Sequence, residues 1–208
     1  MWTGLNFDLP GSAGSSRLVC RKGETITLDL ARWLGDATAA ERRLLDMAVP
    51  PVLDIGCGPG RLAADLRRRG VAVLGIDVAP GAVSRTSDRG VPVLRRSVFD
   101  DVPGAGRFGS ALLVDGNMGI GGDPMRLLRR VRHLLRPGGL ALVEVEPPGA
   151  VTRRLDVRLD TVSGVSDWSA WAQVGADDVA WIGVAAGYAL IEVVAAEDRW
   201  FAVLQAAR

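Results

Sequence analysis

Between residues 52 and 146, short apolar runs alternate with stretches whose apolar residues recur every three or four positions. The runs 52–55, 71–76, 91–95, 111–115 and 140–146 have the length and composition of buried strands. Between them, 61–69 places Leu62, Ala63 and Leu66 on one face, and 80–89 has a proline near its start and Gly90 behind its end. Asp123 and Pro124 open a helix on which Leu127, Leu128, Val131, Leu134 and Leu135 share a face. This alternation predicts an α/β fold: a parallel sheet covered by helices on both faces.

The flanks read differently. Residues 1–26 are rich in Gly, Ser and Pro and read as a mobile arm. Residues 27–34 predict a two-turn helix with Thr27 as N-cap and Gly35 as its stop. Thr38 and Glu41 have capping-box spacing, Leu44, Leu45 and Ala48 form an apolar stripe behind them, and Pro50-Pro51 ends that helix. Downstream, 151–162 alternates enough for an extra strand, and 177–187 reads as a helix. Two strands follow at 189–195 and 200–206, joined by a tight turn at Glu197-Asp198.

Composition narrows the picture. A length of 208 residues predicts one domain, and 48% hydrophobic residues is enough for a core. A net charge of +1 implies no global attraction to nucleic acid or membrane, and the arginines of 126–136 read as a solvated helix face. The single histidine, His133, lies among those arginines and reads as exposed and non-catalytic. Two cysteines, Cys20 and Cys57, fit a reduced compartment. No basic-then-apolar start and no run of 18 apolar residues occur, so a cytoplasmic location is expected.

The chemistry concentrates at 52–63, VLDIGCGPGRLA: a strand, a glycine-rich turn and a helix start. Glycines let a ligand approach the backbone, and a helix start offers free N–H groups. A dinucleotide fingerprint counted from Gly56 needs glycine at position 61, where Arg61 stands, which speaks against a NAD-dependent oxidoreductase. The pattern present is D-x-G-x-G-x-G, from Asp54 through Gly56 and Gly58 to Gly60. It resembles the first motif of the class I S-adenosylmethionine-dependent methyltransferases. Asp77, at the end of the second strand, can accept two hydrogen bonds from a ribose diol.

The resemblance runs from about residue 52 to 148 and more weakly beyond. It implies a Rossmann-like seven-stranded sheet: five parallel strands plus a C-terminal antiparallel hairpin whose last strand inserts beside the fifth. It implies an N-terminal arm or substrate lid over 1–36 and a methyltransferase domain over 37–208. S-adenosyl-L-methionine would be the cofactor and S-adenosyl-L-homocysteine the product. The implied cofactor contacts are Asp54 near the amino-acid moiety, the turn residues Gly56, Cys57, Gly58 and Gly60, and Asp77 with Val78 at the ribose. Ser97 or Val98 falls where related proteins carry an acid that reads adenine. Asp115, Gly116 and Asn117, after the fourth strand, should face the transferred methyl.

The resemblance implies methyl transfer to a small-molecule acceptor by a monomer or homodimer. The catalytic candidates are Asp115, Asn117 and Glu146, with Asp123 as a further possible base. Trp33, Trp168 and Trp171 lie outside the nucleotide core, and Trp33 and Trp168 are candidates for an acceptor lid. The low histidine count and the missing Cys/His cluster argue against a metal-dependent catechol-type enzyme. The rival reading is a protein of the same fold that binds its ligand without turnover.

Overall fold

The computed structural model describes residues 17–161 and 164–207. The chain begins with β1 (Arg17–Cys20) and β2 (Thr25–Thr27), followed by α1 (Leu30–Leu34) and α2 (Ala39–Asp46). The nucleotide half is β3 (Val52–Ile55), α3 (Arg61–Arg68), β4 (Val73–Asp77), α4 (Pro80–Asp88) and β5 (Val93–Arg95). It continues through β6 (Phe108–Leu113), α5 (Pro124–Leu134) and β7 (Leu135–Val145). Then come β8 (Arg153–Thr161), β9 (Gly164–Val165) and β10 (Ser169–Gln173), and finally α6 (Val179–Ala185), β11 (Tyr188–Ala196) and β12 (Arg199–Ala206).

The main sheet has the order β11-β12-β7-β6-β3-β4-β5. Strands β3 to β7 are parallel, and β12 inserts antiparallel between β7 and β11, as expected. Strands β3 and β6 are buried at every position because helices cover both faces. One face packs Leu127, Leu128, Val131 and Leu134 of α5 against the sheet; the other packs Leu44, Leu45, Leu62 and Leu66 of α2 and α3. The capping box at Thr38 and Glu41 is formed, and the Asp123 side chain caps α5.

Two expectations need correction. The flanks do not form a mobile arm and one lone strand: β1, β2, β8, β9 and β10 make a second, antiparallel sheet. Leu18 pairs with Ile26 on one side and with Leu159 on the other, so residues 17–27 are held by a strand more than a hundred positions away. Residues 1–16 of the expected arm lie outside the described residues. Helix α1 starts later than expected, because Thr27 is engaged in β2 and Asp29 is the N-cap instead, accepting from the Arg32 N–H at 2.9 Å. Gly35 ends the helix as predicted. Among the described residues, no helix is long and apolar enough to cross a membrane.

The second sheet is a roof over the carboxyl ends of the parallel strands. Register puts Leu18, Leu155, Val157, Leu159, Ser169 and Trp171 on one face, and Leu18, Leu159, Ser169 and Trp171 line a cavity beneath it. The 3-10 turn Asn117–Gly122, after β6, supports the roof from below. A Cβ on Gly119 would overlap the Trp171 ring, and one on Gly122 would sit 2.8 Å from the Ala170 Cβ. Only glycine allows β10 to lie that close.

Candidate active site

One cavity of about 480 Å³ joins the glycine turn to the roof. Its floor contains Gly56, Cys57, Gly58, Asp77, Val78, Ser97, Val98 and Asp115, eight of the expected cofactor contacts. Asp54, Gly60 and Gly116 do not line it. Asp54 lies behind the turn, fully buried, and its Oδ2 has no partner among the described residues. Burial, with Asp115 and Asp77 nearby and only partly offset by Arg61, pushes its pKa up to about 7. Gly60 is left-handed (φ +81°) and packs against Thr86, while Gly116 (φ +78°) opens the 3-10 turn.

The turn is held from three directions. The Asn117 amide donates to the carbonyls of Ile55 and Gly56, at 2.9 and 3.0 Å. The Thr86 hydroxyl donates to the Gly58 carbonyl at 2.7 Å. Asp77 accepts from the Gly58 N–H at 2.9 Å and the Ala79 N–H at 2.8 Å. Burial raises the Asp77 pKa, and these N–H groups oppose the rise. The carboxylate lines the cavity, and a carboxylate can accept more than one hydrogen bond at each oxygen, which suits a vicinal diol. Space above the turn is open, since a Cβ on Gly58 would meet nothing within 4 Å.

Beside the turn lies a buried ion-pair network that sequence reasoning missed. Arg61 pairs with Glu41 and with Asp115 (2.7 Å). Arg199 pairs with Glu41, with Glu144 (2.7 Å) and with Asp115 (3.1 Å), and Arg32 reaches Asp115 at 3.4 Å. Three guanidinium groups thus meet three carboxylates. Burial alone would raise the Glu41 pKa, but Arg61 and Arg199 more than offset it and hold the group at about 2. Glu41 also closes the capping box, accepting from the Thr38 N–H at 2.9 Å. The signal was an arginine at the first position of an otherwise apolar helix face.

The other candidates separate. Asn117 and Asp115 line the cavity, but the first clamps the glycine turn and the second is held by arginines. Glu146 lies outside the cavity, where it accepts from the Gln173 amide at 3.1 Å and anchors residues 174–176. Asp123, the α5 cap, also does not line it. Trp33 lines the cavity; Trp168 does not, and stacks between Arg21 and Arg158. Trp171 lines it instead. His133 is exposed on α5 as predicted.

A family model described as "Methyltransferase domain" matches residues 52–139, which run from β3 into β7. That match takes in the glycine turn, Asp77 and Asp115 and covers less than half of the chain. The fold of the chain is shared with solved structures of S-adenosylmethionine-dependent methyltransferases. A SAM-dependent methyltransferase from Bacteroides fragilis, solved with S-adenosyl-L-homocysteine, superposes with a TM-score of 0.82 at 22% identity, over 98% of this chain and 92% of that one. The Burkholderia thailandensis 1,6-didemethyltoxoflavin-N1-methyltransferase superposes at 0.57 and 21% identity, over 82% of this chain and 79% of that one. In sequence, the chain is 35% identical to a ubiquinone biosynthesis O-methyltransferase of Azorhizobium caulinodans over 98 residues, 44% of this chain and 38% of that protein. It is 32% identical to a trans-aconitate 2-methyltransferase of Deinococcus radiodurans over 117 residues, 53% of this chain and 45% of that protein. The chain thus spans less than half the length of these curated relatives.

Proposed function

We infer that the chain is a methyltransferase that binds S-adenosylmethionine and methylates a small molecule. One observation carries this reading: a single cavity runs from a glycine turn and a ribose-type acid to an apolar roof. Its volume falls within the range of small-molecule sites. The groups fit the cofactor. Asp77 is fixed by two backbone N–H groups and keeps acceptor sites for the ribose hydroxyls. The open space over Gly58 admits a ligand against the backbone, and Val98 and Phe99 offer apolar contact for a base.

When bound, S-adenosylmethionine supplies a methyl group on a sulfonium. The protein then contributes alignment, which is worth several kcal/mol when reacting atoms are held in line. The Asn117 clamp and the Asp77 bonds fix the turn. Leu18, Leu28, Leu159, Trp33 and Trp171 hold the acceptor and exclude water.

Calorimetric titration with S-adenosylhomocysteine tests the cofactor, with NAD as parallel titrant. Binding of the thioether is expected, and Asp77→Ala should weaken it about 10- to 100-fold through loss of charge-assisted hydrogen bonds. Binding of NAD alone would overturn the reading. Thioether binding with no methyl transfer to any acceptor would favour a non-catalytic ligand-binding protein.

A further inference from the structure

Of the roof-strand residues that line the cavity, Leu18, Leu159, Ala170 and Trp171 carry apolar walls and Ser169 alone carries a hydroxyl. Ser169 faces Val157 across the strand pair, and its neighbours on that face are Leu18, Leu159 and Trp171. The residue is 8% exposed and lines the cavity, and its hydroxyl has no hydrogen-bond partner among the described residues. A buried hydroxyl without a partner costs about 1–3 kcal/mol, so its retention on an apolar face points to a ligand that completes it.

The carboxylates on the cavity wall are already engaged. Asp115 is held by Arg61, Arg199 and Arg32, and Asp77 by two backbone N–H groups. Asp100, at the exposed rim, accepts from the Ser97 N–H. Phenols and ammonium groups must lose a proton before methylation, whereas a carboxylic acid is ionised at neutral pH. Cations stand at the mouth: Arg126 lies over the Phe99 ring at 4.7 Å, with no ion pair among the described residues, and Arg96 lines the same wall.

We propose that the acceptor is a carboxylate on an apolar body, methylated to its ester, with the Ser169 hydroxyl donating to the carboxylate oxygen that is not methylated. This rests on the methyltransferase reading. The other carboxylate oxygen attacks the methyl carbon with a lone pair. The methyl–sulfur bond breaks with its electron pair passing to sulfur, giving an ester and a neutral thioether. No proton is transferred, so no base is needed. Apolar walls strengthen attraction between the anion and the sulfonium, and Arg126 draws the anion in at the rim.

The test is a transfer assay with labelled methyl donor and probes that share one body: 3-phenylpropanoate, 4-propylphenol and 3-phenylpropylamine, followed by a set of aryl and alkyl carboxylic acids. The proposal expects label in alkali-labile ester from at least one carboxylic acid, with a rate flat from pH 6 to 9. Ser169→Ala should lower kcat/KM about tenfold with S-adenosylhomocysteine affinity unchanged, and Ser169→Thr should restore most of the loss. Arg126→Gln should raise KM and spare kcat. Transfer to the phenol or the amine but to no carboxylic acid overturns the proposal. So does failure of every carboxylic acid while S-adenosylhomocysteine still binds. Failure to bind S-adenosylhomocysteine overturns the methyltransferase reading instead.

Discussion

At the scale of single residues, Glu41 joins two structures. Its carboxylate caps the N-terminus of α2 and accepts the guanidinium groups of Arg61 and Arg199, with no exposure to solvent. Glu41→Gln leaves two buried cations short of one counter-charge. Breaking a buried pair in this way costs about 3–5 kcal/mol, so urea melts should show a loss of that order. Glu41 also ties stability to acid. Its pKa falls from about 4.5 unfolded to about 2 folded, so its contribution is complete above pH 4.5 and is lost as pH falls through 2. Asp54 has the opposite sign. Its folded pKa of about 7 exceeds the ordinary 3.8, so its favourable share is full below pH 4 and declines as pH rises to 7. Asp54→Asn should therefore flatten the fall in melting temperature between pH 4 and 7, which thermal unfolding across that range checks.

At the scale of elements, the contact between the 3-10 turn and β10 sets the height of the roof. Gly119→Ala places a methyl into the Trp171 ring and the backbone of β10. Overpacking of this kind typically costs 1–3 kcal/mol. The strain falls on the roof and not on the glycine turn, so the variant should lose methyl transfer more than S-adenosylhomocysteine affinity. Calorimetry and the labelled-methyl assay together read that split. The same contrast shows what was legible in the chain. Strands β3 and β6 announce themselves as apolar runs because helices bury them on both faces. Among the roof strands, β8 has nine residues and its alternation was legible as a strand, whereas β1 and β2 have four and three residues and lie far from it in sequence. Pairing between residues 17 and 160 leaves no local mark. The alternation at 169–173 does separate Ser169 and Trp171 from Ala170 and Ala172, but which face would be covered depended on a partner the local pattern does not name.

At the scale of the whole molecule, the candidate site was legible on one side only. The glycine turn and Asp77 follow from local spacing, D-x-G-x-G-x-G and an acid at the next strand end, because one β-α-β unit, β3-α3-β4, carries them. The acceptor side and the ion-pair network draw on α1, α2, β7, β8, β10 and β12, which meet only in the folded chain. Opposite charges such as Glu41 and Arg199 stand 158 positions apart, and no period or motif relates them.

The roof strands flank residues 52–139 on both sides in the chain, and that arrangement has a consequence during synthesis. As the polypeptide emerges from the ribosome, β1, β2 and the parallel strands β3 to β7 are all made before β8 begins at Arg153. Until β8 is made, β1 is paired with β2 alone and lacks its second neighbour. Pairing across so many residues is slow compared with local helix formation. Closure of the chamber therefore waits for residues 153–173, and the acceptor has no enclosed place to bind until β10 has been made.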